Sequence, residues 1–589
     1  MRKTKIICTL GPATDREEIM REMILSGMNV ARFNFSHGTH ESHKNTFDML
    51  TRLREELNCP VATLLDTKGP EIRLGKIAGG KVELMRGQNF VLTPEEMEGT
   101  NERATISYKQ LANDVVPSSR ILIDDGLIEL KVRGVEENGD IFCTVANGGF
   151  ISNNKGINVP GVHLSLPFVS PKDESDILFA IRTGFDFIAA SFTRSADDIL
   201  EVRKILDREG CHWIKIIAKI ENIDGVRNID EILRVSDGIM VARGDMGVEI
   251  PLEEVPVLQK KLIKKGYNAG KPVITATQML DSMIKNPRPT RAETNDVANA
   301  IYDGTSAIML SGETAAGAFP VEALRTMSRI AERTEGDIDY AHQFKGREVS
   351  EAFDVTNAIA HATVTTATDL GAAAIITVTK SGQTARLMSK FRPSAPIISC
   401  TPNPVVCRQT SLSWGVVPLT MEEMASTDEL FEHSVEAAVR AGLVQSGDLV
   451  VITAGLPVNV SGTTNLLKVH IVGDVLVTGQ GINGNTACAN LCVCKDEEEA
   501  LRKCKRGDIL VIPKTSNHLL PILKTVSGIV TEEAGENSHA AVVGLALDIP
   551  VLVGAVNACS ILRSGVTVIL DAGRGMVSCS KNCTVCEGK

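Results

Sequence analysis

The stretch "IIAKIEN", residues 216–222, begins as a buried strand and then meets Lys219 and Glu221. A neighbouring run, "DGIMVARGD" (237–245), ends the same way at Asp245. Apolar runs that finish in polar or charged residues recur outward from these two: "TKIICTLG" (4–11), "NVARFNFSHG" (29–38), "VATLLDTKG" (61–69), "FDFIAASFT" (185–193), "IKIIAKIEN" (214–222), "KPVITATQM" (271–279) and "TSAIMLSGE" (305–313). They are nearly continuously apolar, as strands covered on both faces must be. Between most of them lie stretches such as "TDREEIMREMILSG" and "PVLQKKLIKKGYNAG", apolar at every third or fourth position and closed by Gly, the pattern of a helix and its stop. Strand followed by helix, repeated through the runs, predicts an α/β fold of the (β/α)8 TIM-barrel type.

The rhythm breaks once. Between Gly69 and Phe185, "RILIDDGLIELKVRGVEENGDIFCTVANGGFIS" alternates apolar and polar residues between Gly and Asn turns. This predicts a small antiparallel β domain over 70–167, hinged at Pro70 and Pro167 and hung over the C-terminal barrel rim as a lid. Residues 1–69 and 168–345 would then form the barrel. Helix and strand alternate again over 346–473, predicting an α/β domain with an open sheet. The Gly/Asn-rich "TGQGINGNTACAN" reads as a bridge into a last domain, 474–589.

Composition limits the function classes. The chain has 589 residues, 43% of them hydrophobic, and a net charge of −11. That charge argues against a general nucleic-acid or anionic-membrane surface. The basic N-terminus carries too short an apolar run for a signal peptide, and no run approaches a membrane span. Fourteen cysteines without an export signal fit reduced thiols in a cytoplasmic protein. "CSKNCTVC" (579–586) has the spacing of a metal knuckle but no matching second pair, so free thiols are expected there. The methionines, Met23, Met28 and Met246 among them, read as core fillers, and "KDEEEALRK" (495–503) as a solvated helix face.

In barrels of this type the strand C-terminal ends carry chemistry. Arg32, Asn34, Ser36 and His37, then Asp66, Thr67 and Lys68, then Lys219, Glu221, Asp245, Thr277 and Glu313 collect there. Glu221 and Asp245 on adjacent strands suit Mg²⁺, which takes one or two protein carboxylates and leaves room for substrate oxygens. Lys219 is a point cation for a phosphoryl or enolate oxygen. Arg32 and Arg73 are suited to phosphate. The backbone N–H groups of Gly244 and Asp245 open a short helix where a carboxylate could sit. A single lysine at a strand end is more often a structural ion pair. Several charged strand ends together point to function, because charge buried without purpose is costly.

"ICTLGPAT", "ARFNFSHG", "LLDTKGPEIRLG", "IIAKIEN", "VARGDMGVEIP", "ITATQML" and "MLSGETAAGAFPVEA" resemble the pyruvate kinase family, in its order and spacing, over about 1–473. The resemblance implies phosphoryl transfer from phosphoenolpyruvate to ADP, giving pyruvate and ATP, with a β-barrel lid, an effector-binding α/β domain and a homotetramer. It implies Mg²⁺ (or Mn²⁺) on Glu221 and Asp245, and K⁺ on Asn34, Ser36, Asp66 and Thr67. Lys219, Arg32 and Thr277 match the catalytic positions. Arg32, Lys219, Gly244, Asp245 and Thr277 match substrate-binding positions, and Asn34, His37, Arg73 and Lys155 match nucleotide-side ones. Members with Glu at the position of Glu71 generally need K⁺. Thr379, Lys380, Ser381, Gly382, Gln383 and Thr384, in a strand-to-helix turn, match a sugar-phosphate or AMP effector site that the "GLPVNVSGTTN" loop would close; the same residues also make an ordinary capped helix start. Two other readings stay open: a carbon–carbon lyase on a related barrel, which leaves the Asn34, Ser36, Asp66 and Thr67 cluster and the lid lysine unexplained, and an effector-sensing scaffold, which requires broken catalytic positions.

"GIVTEEAGENSHAAVVGLALDIPVLVG" resembles the mobile phosphohistidine domain of phosphoenolpyruvate synthase and pyruvate phosphate dikinase. His539 is present, but Glu536 in its loop disfavours a phosphate by like-charge repulsion. A packing or regulatory appendage is the expectation.

Overall fold

The computed structural model describes residues 1–345, 355–424, 426–445, 448–455, 464–473 and 475–579. The chain divides into two compact units, residues 1–364, 377–423 and 454–465, and residues 365–376, 424–453 and 466–589. No helix among the described residues is long and apolar enough to cross a membrane.

The first unit contains a closed barrel of eight parallel strands: β1 (Lys5–Thr9), β2 (Val30–Asn34), β3 (Ala62–Asp66), β4 (Phe187–Ala190), β5 (Lys215–Ile220), β6 (Gly238–Ala242), β7 (Val273–Ala276) and β8 (Ala307–Leu310). Each falls within one of the eight apolar runs. The barrel interior is filled by alternate strand residues, among them Ile7, Leu64, Ile217, Met240, Ile274 and Met309. The outward-facing residues meet the helices in a second apolar layer that includes Met23, Met28 and Met246, all buried. Helices start on conventional signals. Ser170 caps Pro171–Thr183 with a capping box, and Gly184 ends it in the left-handed conformation at φ 89°.

The insert between β3 and β4 forms a seven-stranded sheet and a two-stranded ribbon around its own apolar core. Its strand pairings are antiparallel except where Asn89–Thr93 meets Arg103–Thr105; an isolated bridge joining Ile77 and Gly99 is also parallel. Strand Ile72–Arg73 lies just after Pro70 and strand Gly156–Asn158 brings the chain back, so the insert leaves and returns at the barrel's C-terminal rim. Asn158 Nδ2 donates to Glu249 Oε1 at 3.3 Å, and Arg194 Nη1 to the Leu164 carbonyl at 2.9 Å, tying insert to rim. Beyond the barrel, the same unit holds the parallel pair Ile397–Thr401 and Val416–Thr420 and the helix Gln383–Lys390.

The second unit contains residues 449–453 of strand Leu449–Ala454, strand Leu466–Ile471 and a mixed eight-stranded sheet. That sheet runs Val475–Thr478, Met576–Cys579, Thr567–Asp571, Thr486–Val493, Ile509–Ile512, Gly528–Thr531, Val551–Val553, Gln480–Gly481. The segment read as a bridge therefore belongs to the sheet: Val475–Thr478 and Gln480–Gly481 are its two edge strands. Helix Glu497–Lys503 buries only Ala500, as expected of a solvated face.

Candidate active site

The C-terminal rim concentrates charge on fixed partners. Asp66, at the end of β3, is fully enclosed. Its Oδ2 accepts from Arg32 Nε at 2.6 Å, and its Oδ1 from Lys219 Nζ at 3.0 Å and Ser191 Oγ at 3.0 Å. Burial alone would raise the Asp66 pKa, but the Arg32 and Lys219 charges outweigh it and hold the carboxylate ionised. Lys219 Nζ also donates to Ser191 Oγ at 2.8 Å and lies 3.1 Å from Glu221 Oε1. Burial works against its charge, yet Asp66 and then Glu221 raise its pKa above the ordinary lysine value. Arg32 Nη1 completes its grip on Thr9 Oγ1 at 3.0 Å.

Glu221 is only partly satisfied. Its Oε2 accepts the Phe192 N–H at 2.6 Å. Its Oε1 is buried and, although near Lys219 Nζ, has no hydrogen bond of acceptable geometry. Burial, outweighing Lys219 and reinforced by Asp245, pushes its pKa up to about 7. No hydrogen bond or ion pair among the described residues engages the Asp245 carboxylate. Arg32 and Lys219 face Asp66, Glu221 and Asp245, two cations against three carboxylates. A divalent cation on Glu221 and Asp245 would meet the orphaned Oε1 and reverse the sign of the cluster. The donor set, two carboxylates with open positions, fits Mg²⁺.

The wall beside Asp245 is strained. Thr277 and Gln278 follow β7 with φ of 68° and 54°, a region β-branched residues avoid. The turn is clamped by Arg243, which donates to the Thr277 carbonyl at 2.7 Å and to Asp296 at 2.7 Å. Thr277 Oγ1 accepts the Gly244 N–H at 2.7 Å. The Gly244 N–H, read from sequence as open to a substrate carboxylate, thus has an internal partner in this structure, one that an incoming carboxylate must displace.

Insert and rim line a cleft of about 310 Å³ bordered by Arg73, Asp124, Asp125, Lys155, Asp245 and Glu249, among others. Arg73 Nε pairs with Glu71 Oε2 at 2.8 Å, and Lys155 Nζ with Asp124 Oδ1 at 2.7 Å. Burial, then Asp245 and Asp124, raises the pKa of Asp125; burial raises that of Glu249. Asn34 stands opposite Asp66 in the β2–β3 register and accepts the Ser36 N–H at 3.1 Å; Thr67 follows directly. His37 is exposed on the loop after β2. The sequence reading missed Ser191, whose hydroxyl joins Lys219 to Asp66, and the cleft carboxylates Asp125 and Glu249. Only the generic run "FDFIAASFT" signalled the serine.

Glu313, also collected from the strand ends, accepts the Leu280 and Ser311 N–H groups at 3.0 and 2.7 Å and serves the loop behind the rim. In the turn before Gln383–Lys390, Thr379 Oγ1 accepts the Gly382 N–H at 3.0 Å and Gly382 is left-handed at φ 76°. Lys380 pairs with Glu423, and Thr384 Oγ1 lies 2.8 Å from Thr464 Oγ1. Gly382 is the N-terminal capping residue and no side chain caps the helix's free N–H groups, so the ordinary capped start expected of these residues is not seen; residues 456–463 of the loop expected to close over them lie outside the described residues. In the second unit, His539 opens helix His539–Leu547. Its Nδ1 lies 2.9 Å from Thr515 Oγ1 and its Nε2 3.0 Å from Asn517 Oδ1.

A closed parallel barrel whose charge-lined rim shares a cleft with an inserted β domain defines a (β/α)8-barrel enzyme. The family description "pyruvate kinase, barrel domain" matches residues 1–324, "pyruvate kinase, alpha/beta domain" residues 357–470, and "PEP-utilising enzyme, mobile domain" residues 504–575. A pyruvate kinase from Geobacillus stearothermophilus is 51% identical over 577 residues, covering 98% of each chain. One from Sporosarcina psychrophila is 50% identical over 578 residues, covering 98% of this chain and 99% of its own. The crystal structure of a pyruvate kinase from Cryptosporidium parvum superposes with a TM-score of 0.76 at 42% identity, over 80% of this chain and 96% of its own. The chain belongs to the pyruvate kinase family.

Proposed function

We propose that the rim cluster transfers the phosphoryl group of phosphoenolpyruvate to ADP, giving pyruvate and ATP, the last step of glycolysis. The observation that carries this reading is Lys219, buried and charged, fixed by Asp66 and Ser191 beside a Glu221 oxygen that lacks a hydrogen bond. Such an arrangement serves a reaction whose main demand is positioning and charge neutralisation.

Arg32 and Lys219 grip the phosphoryl oxygens. Attack of an ADP β-phosphate oxygen on phosphorus breaks the bond to the enol oxygen, and Lys219 neutralises the enolate that leaves. Gly244, Asp245 and Thr277 hold the substrate carboxylate end. The enolate carbon is protonated on the Thr277 side through a water relay, completing pyruvate. Arg73, Lys155, His37 and Asn34 face the nucleotide. Glu221 and Asp245 would hold Mg²⁺ (or Mn²⁺), which supplies charge neutralisation when bound. Pyruvate kinases typically require K⁺ as well, and the oxygens of Asn34, Ser36, Asp66 and Thr67 would hold it.

Residues 1–69 with 168–345 act as the catalytic domain, 70–167 as its lid, 346–473 as an effector domain and 474–589 as an appendage. Thr379–Thr384 would receive a sugar phosphate or AMP. A cytoplasmic homotetramer fits the family. Purified full-length chain assayed for ADP-dependent pyruvate formation tests the reading; absence of pyruvate with Mg²⁺ and K⁺ present would reject it.

A further inference from the structure

Three soft or anionic donors converge in the second unit, with a fourth thiol beside one of them, and none of the four serves the rim cluster. Cys492, near the end of strand Thr486–Val493, and Cys494 are two residues apart and therefore on one face. Their sulfurs are 3.6 Å apart. Helix Glu497–Lys503 carries the chain on to Cys504, its C-terminal capping residue. Asp508 follows in a tight turn: its Oδ2 accepts the Lys505 N–H at 2.9 Å, and Gly507 takes φ 91°. One ligand atom each from Cys492, Cys504 and Asp508 lies within 4.8 Å of the others.

Tetrahedral zinc with Zn–S bonds of about 2.3 Å sets its sulfurs about 3.8 Å apart, close to the Cys492–Cys494 separation. Cys492, Cys504 and Asp508, with the Cys494 thiol next to Cys492 as a fourth ligand, would make a tetrahedral set of the soft kind that selects zinc over Mg²⁺. A disulfide would use two sulfurs and leave the third thiol and the carboxylate without a role. The sequence around Cys504, "RKCKR" (502–506), supplies four cations. Zinc on three thiolates and a carboxylate carries a net double negative charge, which such a flank offsets. We propose that Cys492, Cys494, Cys504 and Asp508 form a structural zinc site that clamps strand, helix and turn of the C-terminal sheet. On binding, the three S–H bonds release their protons to solvent and no electron is transferred.

The test is metal analysis of reduced, full-length protein titrated with Zn²⁺, then with Co²⁺. The expected result is one tight zinc per chain and an intense thiolate-to-cobalt absorption band. C504S and D508N should each weaken zinc at least tenfold while remaining folded by circular dichroism. C583S/C586S, in the C-terminal tail, should leave binding unchanged. Failure to bind zinc, binding unaffected by C504S and D508N, or a Cys492–Cys504 disulfide found by mass spectrometry after purification in reducing buffer would each overturn the site.

Discussion

Lys219 Nζ donates to Asp66 Oδ1 at 3.0 Å although their strands, β5 and β3, are not neighbours. The strand between them, β4, leads into Ser191, whose hydroxyl contacts both groups. The cation is thus oriented before any substrate arrives, which is what electrostatic preorganisation requires.

Asp66 is the keystone of that arrangement. Asp66→Asn leaves Arg32 and Lys219 with one fewer compensating charge in a buried site. Breaking a buried pair on one side costs about 3 kcal/mol. Urea unfolding should show a loss of that order, with turnover falling as well. Wild-type stability in the variant would mean that Arg32 and Lys219 are held by other groups.

Glu71 pairs with Arg73 at 2.8 Å and approaches Lys68 at 3.8 Å, so it adds no positive charge of its own near the nucleotide side. Activity should therefore depend on K⁺, and Glu71→Lys should reduce that dependence. Full activity of the wild-type chain in buffer free of K⁺ and Na⁺ would contradict it.

Lys5 lies under the barrel with its Nζ 2.6 Å from the Val416 carbonyl. Burial, with Arg2 beside it, depresses its pKa to about 7. Between that value and the ordinary lysine range, the unfolded chain holds a proton that the folded chain lacks. Stability must then rise with pH across this window; below about pH 7 both states are protonated, the slope vanishes and the cost of the buried charge is fully present. Burial lowers Lys3 in the same direction, to about 8. Chemical denaturation of Lys5→Met from pH 7 to 9 should show a shallower rise than wild type; an equal slope would remove Lys5 from the effect.

Both ring nitrogens of His539 are occupied, by Thr515 and Asn517, and Glu536 flanks its loop. His539→Ala should retain wild-type turnover, and incubation with phosphoenolpyruvate should leave no acid-labile phosphate on the wild-type chain. Loss of most activity, or a labelled histidine, would make the appendage a working phosphocarrier.

The barrel was legible because parallel strands covered on both faces must be apolar throughout, and Lys219, Glu221 and Asp245 stand out against such runs. Ser191 was not legible: a serine after an apolar strand is common, and its meaning arises only from the register that sets β4 between Asp66 and Lys219. The strain at Thr277 and the engagement of the Gly244 N–H depend on backbone angles that no residue type announces. Gln480–Gly481 was hidden in a Gly/Asn-rich segment, since a short edge strand needs little apolar alternation. Among the cysteines, the knuckle spacing near the C-terminus is visible in sequence, while the group the fold brings together is Cys492 and Cys504 with Asp508.

The central claim is that Lys219, fixed by Asp66 and Ser191, neutralises charge that grows during phosphoryl transfer. Steady-state kinetics of ADP-dependent pyruvate formation by wild type and Lys219→Met tests it most directly. Loss of such a stabiliser lowers turnover by about 10² or more, with a smaller change in KM for phosphoenolpyruvate. Near-normal turnover in Lys219→Met, or a defect confined to KM, would contradict the account.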